Sequence, residues 1–135
     1  MARIVHIAMK VDDLDGTADF YEKVFSLPAA GKSRSEDRSR RAVSDGNINL
    51  TFLKYDSEES PMAKAVGEGP CIHHFAVEVD DLEKYVSRAR EFGCEILSDP
   101  TKAPVKLRIP GGPIMEIVPE GRYRKGSERS AAQSD

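Results

Sequence analysis

Residues 6–14 read HIAMKVDDL and residues 74–82 read HFAVEVDDL, so six of nine positions are identical across an offset of 68 residues. Two of the remaining three pairs stay hydrophobic. In a chain of 135 residues that offset is close to half the length, and duplication of one folding unit is the economical explanation. A chain built this way is confined to two copies of one supersecondary unit.

Each copy has the same local logic. Ile4, His6, Ala8 and Lys10 alternate with Val5, Ile7, Met9 and Val11, and Ile72, His74, Ala76 and Glu78 alternate with His73, Phe75, Val77 and Val79. Period-two alternation of this kind predicts a strand with one face on an apolar layer. Asp13 and Asp81 stand where an N-cap belongs, ahead of helical periodicity. The first apolar stripe is Leu14, Ala18, Tyr21 and Val24 or Phe25. The second is Leu82, Tyr85 or Val86, Ala89 and Phe92, with Gly93 as C-cap.

Shorter strands are predicted after each helix, at about 30–36, 39–45 and 47–55 in the first half and 95–98, 104–110 and 113–119 in the second. Asp45-Gly46 and Pro110-Gly111-Gly112 supply turns. Each half therefore reads βαβββ. The expected organisation is a first module over 1–55, a polar Pro/Gly-containing linker over 56–70, a second module over 71–120 and a mobile tail over 121–135. The expected fold class is α+β, built from two βαβββ modules.

Composition narrows the function classes. Hydrophobic residues make up 39% and charged residues 32%, which suits one water-exposed globular domain. A net charge of -3, with Arg38, Arg40 and Arg41 as a short interrupted basic cluster, gives no reason to expect nucleic acid. No apolar run approaches the ~20 residues of a membrane span. The opening MARIVHIAMK lacks the features of a signal peptide, so cytoplasmic residence is expected. Cys71 and Cys94 have no CxxC spacing and read as free thiols packed as small hydrophobes.

The two histidines of the repeat face away from the side that packs on the helix. From His6, 43 residues lead to Asn49 in NINLTF, and from His74, 42 lead to Glu116 in IMEIVP. A carboxylate with apolar neighbours on a hairpin strand is costly unless paired or ligated. Two modules related by a pseudo-twofold axis would bring His6, His74 and Glu116 toward a shared concavity. Two neutral imidazoles and one carboxylate suit a single divalent ion: Fe(II), with Mn, Ni, Co and Zn also accepting the set. Asn49 would add a weaker amide oxygen or hydrogen-bond a ligand or water. His73 points to the opposite face from His74 and reads as structural, and Glu78 reads as a surface or rim charge.

The paired H-x-A-x-x-V-x-D-L motifs, the DFYEKVFSLP stretch and the GGPIMEIVP ending resemble the vicinal oxygen chelate superfamily over about residues 3–119. That group includes glyoxalase I, methylmalonyl-CoA epimerase, extradiol dioxygenases, fosfomycin-resistance transferases and bleomycin-binding proteins. The resemblance implies that His6 and His74 are the strand-one metal ligands and Glu116 the last-strand carboxylate. It also implies that the two modules form an open, barrel-like mixed sheet around a central cup, with a small-molecule substrate and a homodimer. Asn49 departs from glyoxalase I, which usually has a glutamate there; an amide takes no proton at neutral pH, which weighs against two-base chemistry. There is no spare inward histidine of the dioxygenase kind, nor a fosfomycin-type potassium loop.

The expected function is a glyoxalase-like lyase or isomerase whose metal chelates vicinal oxygens of a small substrate and stabilises an oxyanion or enolate. Glu116 would be both ligand and catalytic group. Lys10, Arg40 and Arg108 would hold an anionic substrate. The alternatives are an Fe(II)-dependent ring-cleaving dioxygenase and a non-catalytic antibiotic-binding protein.

Overall fold

The computed structural model describes residues 1–35 and 37–123. Residue 36 of the predicted 30–36 strand, and the expected mobile tail from residue 124 on, lie outside the described residues.

Among the described residues, strands and helices follow one another in chain order. They are β1 (Arg3–Lys10), α1 (Leu14–Phe25), β2 (Ala29–Ser35), β3 (Arg38–Ser44), β4 (Asn49–Tyr55), α2 (Pro61–Val66), β5 (Cys71–Val79), α3 (Leu82–Phe92), β6 (Glu95–Ile96), β7 (Val105–Arg108) and β8 (Ile114–Pro119). The class is α+β with mixed strand pairing, and each half is βαβββ, as the repeat predicts. The short helix α2 lies within the segment read from sequence as a linker.

Two compact units emerge, one made of Met1–Val5 with His74–Arg122, the other of His6–His73 with Tyr123. In the second of these the strand order is β2-β3-β4-β1. β1 runs parallel to β4 with His6 opposite Asn49 and Ala8 opposite Thr51, while β3 is antiparallel to both β2 and β4. One sheet face carries Val43 and Phe52, which join Val11 and Ala18 of α1 in a buried cluster with Met9, Leu14, Tyr21, Leu27 and Leu50 against it. The rings of Tyr21 and Phe52 stack at 5.3 Å between centroids. α1 begins where Asp13 accepts a hydrogen bond from Gly16 N–H at 2.9 Å, and ends on Ser26 in the left-handed region at φ 57°. The other face of this sheet is left to His6, Asn49, Thr51 and Arg40, because residues two apart on a strand share a face.

The other unit repeats the plan in the order β5-β8-β7-β6, with β5 parallel to β8 and β7 antiparallel to β8. Val79, Val86, Val105, Leu107 and Ile117 form its core against α3, with Leu82, Tyr85 and Ala89 packed on them. Asp81 caps α3 by accepting from Lys84 N–H at 3.1 Å, and Gly93 ends it at φ 105°, which glycine adopts without strain. His74, Glu78, Lys106, Arg108 and Glu116 share the sheet face turned away from that core.

Candidate metal centre

In the unit that contains residues 74–122, His74 of β5 and Glu116 of β8 lie on adjacent parallel strands, with Ala76 as the direct partner of Glu116. His74 is 2% exposed and Glu116 is fully buried. His74 Nε2 stands 3.3 Å from Glu116 Oε1. Two ligands each about 2.0–2.2 Å from one ion sit roughly 2.8–3.6 Å apart in octahedral or tetrahedral geometry, so the pair has the spacing of neighbouring ligands.

The second oxygen of Glu116 is held differently. Lys106, the cross-strand partner of Glu116 on β7, donates from Nζ to Oε2 at 2.6 Å. Sequence reading missed Lys106. Its signal was the hairpin around Pro110-Gly111-Gly112, whose register places residue 106 opposite 116. Arg108 is half-buried on the same face, opposite Ile114. Glu78 is buried rather than at a rim, and its Oε2 accepts from Gly121 N–H at 3.0 Å.

In the other unit His6 is fully buried on β1. Its Nδ1 lies 3.0 Å from Asn49 Oδ1, and the hydroxyl of Thr51 donates to the same oxygen at 2.6 Å. An amide oxygen only accepts, so Nδ1 is the donor, which leaves Nε2 as the nitrogen able to ligate. That is the arrangement in which a metal-binding histidine is oriented by a hydrogen bond from its other nitrogen. The ring of Tyr123 stacks on His6 at 4.3 Å with the planes 1° apart. Tyr123 and Thr51 were not anticipated either.

The remaining residues singled out from sequence are placed as follows. Lys10 is buried, and its ammonium reaches Glu58 Oε1 at 3.0 Å, Ala63 O at 3.4 Å and Gly67 O at 2.5 Å, at the end of α2. Arg40 is buried on the His6 side of the sheet and donates to Ser33 Oγ at 3.2 Å. His73 is buried, with Nε2 2.7 Å from the hydroxyl of Tyr55. Cys71 and Cys94 are free thiols. A cleft of about 550 Å³ lined by Asp12, Glu58, Glu59, Lys64 and Glu68 includes none of the candidate ligands.

Duplicated βαβββ units, each with an inward histidine on its first strand, define a class of paired-module proteins. The chain belongs to the Glyoxalase/Bleomycin resistance protein/Dioxygenase superfamily, whose model matches residues 3–110. Glu116 lies past the matched stretch and rests on its own geometry. Over 136 aligned residues the chain is 27% identical to a lactoylglutathione lyase of Arabidopsis thaliana, covering 88% of this chain and 44% of that protein. It thus spans less than half the length of that relative. An ethylmalonyl-CoA/methylmalonyl-CoA epimerase of Cereibacter sphaeroides is 24% identical, covering 89% of this chain and 90% of that one. Among solved structures, methylmalonyl-CoA epimerase in complex with methylmalonyl-CoA and NH4+ matches with a TM-score of 0.73 and 23% identity, over 92% of this chain and 98% of that chain. A hypothetical protein of Bacillus halodurans matches with a TM-score of 0.75 at 22% identity, over 90% and 96%. These structural likenesses establish the fold.

Proposed function

We propose that the protein is a metal-dependent enzyme of the glyoxalase and epimerase kind, with His6, His74 and Glu116 holding one divalent ion. The observation that carries this reading is the buried His74–Glu116 pair at ligand spacing, matched by a buried His6 whose Nε2 is the nitrogen able to ligate. Borderline divalent ions from Mn to Zn accept two imidazoles and a carboxylate. When bound, the ion supplies Lewis-acid stabilisation of negative charge on two neighbouring substrate oxygens.

The chain's own residues have separable tasks. Asn49 and Thr51 fix the His6 tautomer, so Asn49 supports a ligand instead of contacting substrate. Glu116 would hold the ion and, as the one carboxylate of the three residues, would be the group that exchanges a proton with substrate. Arg40, buried on the His6 side of its sheet, and Arg108, on the Glu116 side of its own, hold an anionic group of the substrate. The three donors of Lys10 are engaged around α2, so Lys10 anchors that helix and leaves substrate to the arginines.

The lyase and epimerase names of the relatives favour isomerase or lyase chemistry over ring cleavage with O2, and a complete ligand set favours catalysis over simple sequestration. No helix among the described residues is long and apolar enough to cross a membrane. Cytoplasmic residence and a homodimer complete the proposal. The test is metal analysis of chelator-free protein followed by assays of methylmalonyl-CoA epimerisation and of isomerisation of the methylglyoxal–glutathione adduct. Near-stoichiometric metal, lost in His6→Ala and Glu116→Ala, is the expected result. Metal content far below one equivalent after reconstitution, or unchanged affinity in both variants, would sink the reading.

A further inference from the structure

Resting on that metal reading, we propose that Lys106 sets the charge of the centre and so selects substrates whose paired oxygens bind as an anion. The class is α-oxo or α-hydroxy carboxylates and their dianionic analogues.

Glu116 Oε2 accepts from Lys106 Nζ at 2.6 Å while Oε1 faces His74 Nε2 at 3.3 Å. The lysine side chain is 17% exposed and the glutamate is fully buried, so water screens the pair weakly. One oxygen is therefore committed to the ammonium, which leaves Oε1 as the oxygen that would hold the ion.

Charge follows from this geometry. A divalent ion with two neutral imidazoles and one carboxylate carries a net single positive charge, and the ammonium raises the cluster to two. Arg108 sits two residues along β7 on the same face. The other acid on that face, Glu78, accepts from Gly121 N–H. Binding a neutral diol or hydroxyketone leaves the buried positive charge uncompensated, which is unfavourable, whereas a dianion cancels it. Lys106 acts through Glu116 and through its field, as a positioning residue.

The experiment uses the full chain loaded with Co(II), with oxalate as the dianionic probe and hydroxyacetone as the neutral one. Affinities are read from the Co(II) absorption spectrum for wild type, Lys106→Met, Lys106→Gln and Lys106→Arg. Lys106→Gln keeps a hydrogen bond to Glu116 and serves where Lys106→Met does not fold. Removing a unit charge this close to the ion is expected to weaken oxalate by about tenfold or more. Hydroxyacetone should change far less, and Lys106→Arg should restore oxalate binding. Oxalate affinity unchanged in the neutral variants, or equal weakening of both probes, overturns the proposal. Failure of the wild type to load with metal instead overturns the functional reading beneath it, so the two failures are distinct.

Discussion

Asn49 illustrates how a single side-chain choice redirects a site. In the proposed site a carboxylate at this position would compete for the ion, whereas the amide oxygen collects hydrogen bonds from His6 Nδ1–H and the Thr51 hydroxyl. Asn49→Leu removes the acceptor that sets the His6 tautomer, and groups of this kind typically contribute 10–100-fold to metal affinity. A chelator-competition titration should show a loss of about that size, with a smaller one in Thr51→Val. Wild-type affinity in Asn49→Leu would show that the hydrogen bond is incidental. As candidates for the proposed site, His6, His74 and Glu116 were legible from the repeat and the matched spacing of the last strands. Lys106 was missed, because the turn of the last hairpin is the one signal for its pairing with Glu116 and that signal fixes register only once the strands are paired.

At the scale of elements, the caps were readable and the anchors were not. Asp13 and Asp81 stand as N-caps because a short carboxylate before an apolar-periodic run can accept from the first free N–H groups. Gly16 tests that logic. Glycine at an early helical position invites Gly16→Ala, which on propensity alone would add about 1 kcal/mol. Here the new Cβ would collide with the Asp13 carboxylate, displacing a cap that contributes about 1 kcal/mol. Urea unfolding of Gly16→Ala should therefore show no gain in stability, and a gain near 1 kcal/mol would disprove the conflict. The matched repeat positions Lys10 and Glu78 show what periodicity conceals. Lys10 reads as a holder of anionic substrate and Glu78 as a surface or rim charge, yet each is buried and holds the segment following its own module's last strand. Lys10 takes Glu58 and two carbonyls near α2, and Glu78 takes Gly121 N–H. Opposite charges do the same job because one segment presents carbonyls and the other an N–H.

For the molecule as a whole, acid sensitivity follows from carboxylates held below their ordinary range. Backbone N–H groups of Ile48 and Asn47 lower Asp45. The Arg34 guanidinium lowers Asp56, and the Thr101 hydroxyl and N–H lower Asp99. A carboxyl with a depressed folded value stabilises the fold fully above its unfolded value of about 3.9 and loses that contribution as pH falls through the folded one. Stability should thus be flat from neutrality to about pH 4 as far as these groups are concerned, then decline. All three are well exposed, so each effect is small. In Asp45→Ala the gap between the urea midpoints at neutral and strongly acid pH should narrow, and an unchanged gap would remove Asp45 from the account.

The amino-acid sequence by itself determined the duplicated βαβββ plan, the helix caps and the two histidines. These depend on local periodicity, capping chemistry and repetition, all of which are written in consecutive residues. Tertiary structure decided which oxygen of Glu116 meets His74 and which meets Lys106, that Asn49 supports His6, and that Lys10 and Glu78 are buried anchors. Those outcomes depend on strand register and on where loops return. Residues far apart in the chain settle both, through hydrogen bonds that no local pattern encodes.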